Sequence, residues 1–197
     1  MVKRIFIAIN LPDDIKNQLS LKQSKLDKLF SKSDIPVRWT KKENLHLTLY
    51  FLGYIRENKL ESIFELTKKT SSSFESFSIK LNKIVYAPLN SFPPRMIWAT
   101  GEKSSHFIEL KRKIEDGLVK ENFFSKSFFK KEKKKDIIHI TLARIRSIFS
   151  YNPENLPDIS EDIDLDFKVN SIEVMESHLK PKGPEYTVLK SFNLKVS

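Results

Sequence analysis

The chain has 197 residues, with 35 Lys and Arg against 25 Asp and Glu, and no cysteine. That length suits one domain or two small lobes sharing a core, and 40% hydrophobic content with 15 Phe excludes a globally disordered chain. The missing cysteine excludes a disulfide scaffold, a thiol nucleophile and a Cys-ligated metal, while the net charge of +10 suits a polyanionic partner. Apolar runs are far shorter than a membrane span.

In chain order, residues 4–9 form an apolar, β-branched run that reads as a buried strand. This run stops at Pro12-Asp13-Asp14, a helix start, so it resembles a first strand rather than a signal peptide, and a soluble cytoplasmic protein is expected. Ile15, Leu19, Leu26, Leu29 and Phe30 share one helical face. Pro36 marks a break, 45–52 reads as a strand ended by Gly53, and Leu60, Ile63, Phe64 and Thr67 give helical spacing closed by Ser71-Ser72-Ser73. Strands follow at 77–86 and 95–100, separated by a loop with Pro88, Pro93 and Pro94. Phe107, Leu110, Ile114 and Leu118 mark a third helix. A lysine-rich loop at 126–135, a strand at 137–143, an alternating strand at 163–169, and last strands at 172–175 and 186–196 complete the chain. No composition shift divides it, so residues 1–197 read as a single α+β or α/β unit with two pseudo-equivalent lobes.

One local signal stands above the rest. His46-Leu47-Thr48-Leu49 recurs 93 residues later as His139-Ile140-Thr141-Leu142, each copy inside a predicted strand. Successive strand side chains point to opposite faces. Leu45, Leu47, Leu49 and Phe51 therefore share the core face, and His46, Thr48 and Tyr50 the other. In the second copy Ile138, Ile140 and Leu142 face the core, with His139 and Thr141 opposite. Each tetrad presents an imidazole beside a hydroxyl on a polar face. Histidine titrates near neutrality, so one copy can serve as base and the other as acid in a phosphodiester displacement. The hydroxyls can donate to non-bridging phosphate oxygens. The histidines have no carboxylate or Cys at ligand spacing, which disfavours zinc; no cofactor is expected.

These residues resemble the two-histidine (2H) phosphoesterases, and most closely the LigT-like RNA 2′,3′-cyclic phosphodiesterases, also described as 2′-5′ RNA ligases. The similarity runs through 4–12, 37–53 with the first tetrad, 94–99, 139–144 with the second, and 177–189. It implies a bilobal, pseudo-symmetric α+β fold: two antiparallel sheets flanked by helices, with a central cleft and one tetrad per lobe. The implied reaction is hydrolysis of an RNA-terminal 2′,3′-cyclic phosphate to a 2′-phosphomonoester, with reverse 2′-5′ ligation as an accompanying capacity. By the family pattern His46 protonates the leaving 3′-oxygen, His139 activates water, and Thr48, Thr141 and Arg144 bind phosphate. RNA ends are the implied partner, tRNA fragments among them, and a monomer is the family expectation. One departure is visible: the family usually has proline directly before the second histidine, where this chain has Ile138.

In a regular strand Arg144 falls on the face opposite His139, so reaching the phosphate requires the strand to end or bulge at Ala143. Tyr186, in a Gly-Pro-x-Tyr stretch, is a candidate cleft residue, as are Tyr50 and Phe51, although parity puts Phe51 in the core. Arg38 and Trp39 are candidate nucleotide contacts. His106 and His178 read as structural or solvated. The 126–135 loop carries six lysines and one glutamate, half of the net charge, and could bind RNA backbone with Phe128 and Phe129 stacking on bases. Other activities of the same site are 2′-5′ oligonucleotide cleavage, RNA 3′-end trimming and opening of a small cyclic nucleotide. A non-catalytic RNA-binding module is the alternative from another class, and two intact tetrads argue against it.

Overall fold

The apolar runs become strands and the 3.6-residue stripes become helices in a computed structural model. It describes residues 1–33, 35–89, 91–125, 136–145, 152–181 and 183–196. The basic loop at 126–135, with Phe128 and Phe129, lies outside the described residues. The order is β1 (Val2–Asn10), α1 (Asp13–Phe30), β2 (Val37–Trp39), β3 (His46–Arg56), α2 (Leu60–Ser72), β4 (Phe77–Ala87), β5 (Met96–Gly101), α3 (Ser105–Lys120), β6 (His139–Ile145), β7 (Glu161–Val169), β8 (Ser171–Lys180) and β9 (Gly183–Asn193). Among the described residues no helix is long and apolar enough to cross a membrane.

The strands form a sheet in the order β7-β4-β5-β6-β3-β1-β8-β9, with β2 also paired to β6. Neighbouring strands run antiparallel. It divides into two halves, β7-β4-β5-β6 and β3-β1-β8-β9. The described register between them consists of the pair Leu47↔Ile140. These are the second residues of the two tetrads. The α+β bilobal arrangement therefore has its seam where the sequence repeat lies, and the seam sets one histidine on each side.

The helices close the core. Asp13 and Asp14 in the first turn of α1 and Lys28 in its last complement the helix dipole, and Ile15, Leu19, Leu26 and Phe30 are buried, while Leu29 stays exposed. α1 packs on the first half, with Lys22 bonded to Glu161 of β7. α2 packs on β8, β9 and α3, and the Ser104 side chain caps α3 by accepting from the Phe107 N–H. Leu45, Leu47, Leu49, Ile138, Ile140 and Leu142 are all buried in one cluster that runs through both lobes. β1 is buried on both faces. Ile5, Ile7 and Ile9 join that core, while Phe6 and Ala8 form a second small cluster with Met175 under Tyr186.

Two irregularities in the pairing of β3 change what the sequence pattern predicts. The register with β1 skips Leu49 and Leu52, and Gly53 takes φ +75°, a conformation that favours glycine. Each extra residue advances the side-chain alternation, as bulges do. Core-facing residues become Leu47, Leu49, Leu52 and Ile55, and Phe51 is 46% exposed. Phe51 thus lines the cleft, against the strict two-residue alternation, and the strand runs on through Gly53 to Arg56.

Candidate active site

A cleft of about 1270 Å³ opens over the seam. It is lined by His46, Thr48, His139, Thr141, Arg144 and Tyr186 together with residues of β1, β2, β5 and α3. The histidine and threonine of each tetrad, Arg144 and Tyr186 are therefore brought to one cavity, with Arg38, Trp39, Tyr50 and Phe51 also on its lining.

Main-chain carbonyls orient both imidazoles. His46 Nδ1–H donates to the Asn44 carbonyl (2.7 Å), and His139 Nδ1–H donates to the Ile137 carbonyl (3.0 Å). A carbonyl only accepts, so Nδ1 carries the hydrogen in each ring and Nε2 is the nitrogen that exchanges protons. His46 Nε2 lies 2.9 Å from Thr48 Oγ1, its neighbour two residues along the same face. The two copies use the same device, a carbonyl two residues upstream of the histidine. Ile138, between that carbonyl and the ring, leaves this hydrogen bond in place.

The surroundings of the two rings differ. His46 sits in an aromatic corner, with Phe6 and Tyr186 rings each 5.1 Å away and Tyr186 edge-on. Burial there holds the His46 pKa below the ordinary histidine value; the Asn44 carbonyl opposes this, and the charges of His139 and Lys16 add to it. His139 instead stacks on the Trp98 face at 4.0 Å and 24°. The flat face of the indole thus fixes the plane of the second imidazole. Burial raises the Tyr186 hydroxyl pKa, opposed by the charges of Arg144, Arg4 and Arg38.

Those arginines converge from three strands. The β5–β6 register skips Leu142, pairing Ile97 with Ala143 but Trp98 with Thr141. The resulting bulge brings Arg144, exposed, to the cleft face beside Met96. The irregularity falls at Leu142, one residue before the Ala143 that alternation predicts, because Ala143 itself stays paired with Ile97. On the other side of β6, Arg38 stands directly opposite Arg144. Facing like charges destabilise a sheet, so this pair concentrates positive charge at the edge of the cleft. Arg4 from β1 lies over the Phe51 ring at 4.4 Å and donates to Ser177 Oγ at 3.1 Å.

Other candidates divide. Tyr50 lines the cleft and donates to Glu115 of α3 (3.2 Å). Trp39 does so while its Nε1–H donates to Asp27 of α1 (2.6 Å). His106 stacks on Phe77, and His178 lies beside Glu176; neither lines the cleft. Arg4, Trp98 and Asn44 were not singled out from the sequence. Arg4 had a usable signal, because it shares parity with Phe6 on the first strand. Asn44 does two tasks: its carbonyl orients His46, and its side-chain amide donates to the Pro184 carbonyl (2.8 Å), tying the β8–β9 hairpin and Tyr186 to the first tetrad. Among the described residues no group of three or more His, Asp or Glu side chains is placed to hold a metal ion.

Known proteins share this layout. The model of the family described as LigT like phosphoesterase matches residues 9–98 and 109–186. An RNA 2′,3′-cyclic phosphodiesterase of Methanocaldococcus jannaschii is 33% identical over 96% of this chain and 99% of its own length. A protein of the same name from Thermotoga maritima is 31% identical, over 94% of this chain and 92% of its own. Among solved structures, a Thermus thermophilus protein superposes with a TM-score of 0.81 at 28% identity, covering 97% of both chains. With paired histidine tetrads on a shared seam and a family match across most of its length, the chain belongs to the LigT-like phosphoesterases.

Proposed function

We propose that this chain hydrolyses the 2′,3′-cyclic phosphate at RNA ends to a 2′-phosphomonoester and a free 3′-hydroxyl. The observation that carries the reading is the pairing of Leu47 with Ile140, which brings His46 and His139 to one cleft that Arg4, Arg38 and Arg144 also line. His139 Nε2 takes a proton from water as the water oxygen attacks phosphorus. The P–O3′ bond breaks, and His46 Nε2–H gives its proton to O3′. Thr48, Thr141 and Arg144 hold the non-bridging oxygens, which bear more charge in the transition state than in the ground state. In the free protein burial favours neutral His46, so His46 takes up its proton as the anion binds, because a nearby negative charge favours imidazolium.

The cleft of about 1270 Å³ exceeds the usual small-ligand range of roughly 300–1000 Å³, which favours an RNA chain over a single cyclic nucleotide. Both tetrads belong to one chain, so a monomer suffices, acting in the cytoplasm on cleaved RNA such as tRNA fragments. The test is an oligonucleotide ending in 2′,3′-cyclic phosphate, incubated with EDTA. A 2′-phosphate product is expected; a 3′-phosphate or a shortened chain rejects the reading. Substrate with sulfur in place of O3′ has a leaving group that needs no proton, so it restores turnover to His46→Ala and not to His139→Ala. The opposite pattern reverses the two roles.

A further inference from the structure

The buried face of α1 contains two polar side chains, Lys16 and Gln23. Gln23 is 7% exposed, lies two helical turns after Lys16, and reaches neither the cleft nor solvent. Its Nε2 donates to the Thr40 carbonyl (2.8 Å) and to the Leu142 carbonyl (2.8 Å). The Leu142 carbonyl also accepts the Thr40 N–H at 2.8 Å. Both acceptors sit at structurally special points. Leu142 is the residue that the β5–β6 register skips. Thr40 follows β2, where β6 exchanges β2 for β3 as its neighbour. A bulge at a change of partner interrupts the ladder; the Thr40 N–H supplies one donor to the Leu142 carbonyl and the Gln23 amide a second, and the same amide serves the Thr40 carbonyl. Burying an amide costs desolvation and rotamer freedom. Both hydrogens of this amide are aimed at those two carbonyls.

We infer that Gln23 is a positioning residue for the second lobe's phosphate-binding group. By holding the Leu142 and Thr40 carbonyls it fixes the bulge that sets Arg144 on the cleft face beside Thr141. The inference rests on the proposed reaction for the identity of what they bind. Gln23 touches no substrate; it acts through the backbone of β6.

A lobe-specific double-mutant cycle tests this. Gln23→Leu removes both donors at similar volume. Turnover of the cyclic-phosphate oligonucleotide is measured for Gln23→Leu alone, with Arg144→Ala, and with Thr48→Ala, at a temperature where circular dichroism shows every variant folded. Misplacement of reacting groups by about 1 Å can cost roughly 100-fold, so Gln23→Leu is expected to lower kcat/KM by roughly 10- to 100-fold. In the Arg144→Ala background the loss shrinks at least about threefold, because the group being positioned is gone. In the Thr48→Ala background, which lies in the other lobe, the loss stays whole. A purely structural glutamine lowers the melting temperature and shows no such difference between backgrounds. Gln23→Leu within about twofold of wild type, or equal losses in both backgrounds, overturns the inference. Should Gln23→Leu not fold, Gln23→Asn takes its place, one methylene too short to span both carbonyls. If wild type does not turn over the oligonucleotide, the proposed reaction fails instead, and the same cycle is read as the Kd for inorganic phosphate.

Discussion

Gly101→Ala probes how tightly the second histidine is positioned. Gly101 ends β5, and its N–H donates to the Ile138 carbonyl at 2.9 Å. A Cβ here would lie 2.6 Å from Ile138 Cγ2 and 2.8 Å from the Lys80 carbonyl oxygen, against an ordinary carbon contact of about 3.5–4.0 Å. The Lys80 oxygen is main chain inside β4 and cannot turn away. Ile138 is 1% exposed and has nowhere to go without moving its own backbone. That backbone leads into His139, and the preceding carbonyl holds its Nδ1. Overpacking of this kind costs about 1–3 kcal/mol. Gly117→Ala is the control. Its Cβ meets Leu66 Cδ1 and Cγ at 2.9 Å, side-chain atoms with no main-chain oxygen among them, and alanine gains about 1 kcal/mol over glycine in a helix. Urea denaturation should show Gly101→Ala destabilised by about 1–3 kcal/mol, with kcat about tenfold lower in the folded enzyme. Gly117→Ala should stay within about 1 kcal/mol at unchanged kcat. A Gly101→Ala enzyme with native stability and native kcat would refute the packing argument.

Further expectations concern charge. Arg144→Ala should lower kcat/KM roughly 10- to 100-fold, since a hydrogen bond to a charged group is worth about 1.5–3 kcal/mol. Arg144→Lys should recover little of this, because lysine lacks the guanidinium fork; full activity of Arg144→Ala removes Arg144 from the site, and full activity of Arg144→Lys removes the need for the fork. His46 has its folded pKa below the unfolded value, so the unfolded chain binds more protons between the folded value and about 6.5. Stability therefore rises with pH through that window and is lost as pH falls through it. The urea midpoint of His46→Gln should drop less between pH 7.5 and pH 5 than that of wild type; equal drops contradict the assigned burial. Inorganic phosphate should raise the His46 pKa in an NMR titration, whereas an unchanged or lower value rules out its uptake of a proton on anion binding.

Much of this site is legible in the residues. The tetrads and their buried alternate positions follow from local patterning, because each is a property of one segment. Arg144 shows how far parity reaches: alternation alone puts it on the wrong face, and the conflict with its likeness to a phosphate ligand points to a bulge, which lies at Leu142. Phe51 shows the limit. Its strand carries two skipped residues, and only pairing with β1 reveals them. Gly53 is the visible trace, since its positive φ is a conformation glycine tolerates. β2 is three residues long and has no period to detect. Gln23, Asn44 and Trp98 act through partners 119, 140 and 41 positions away, contacts that no window of sequence contains.

The most direct test compares wild type, His46→Ala and His139→Ala on one oligonucleotide ending in 2′,3′-cyclic phosphate, with folding checked by circular dichroism. Positioned acid–base groups contribute roughly 100- to 10,000-fold each, and the two histidines share one displacement. Wild type should give a 2′-phosphate, and each variant should lose at least about 100-fold in kcat while staying folded. Either variant turning over at a rate near wild type would contradict the two-histidine mechanism.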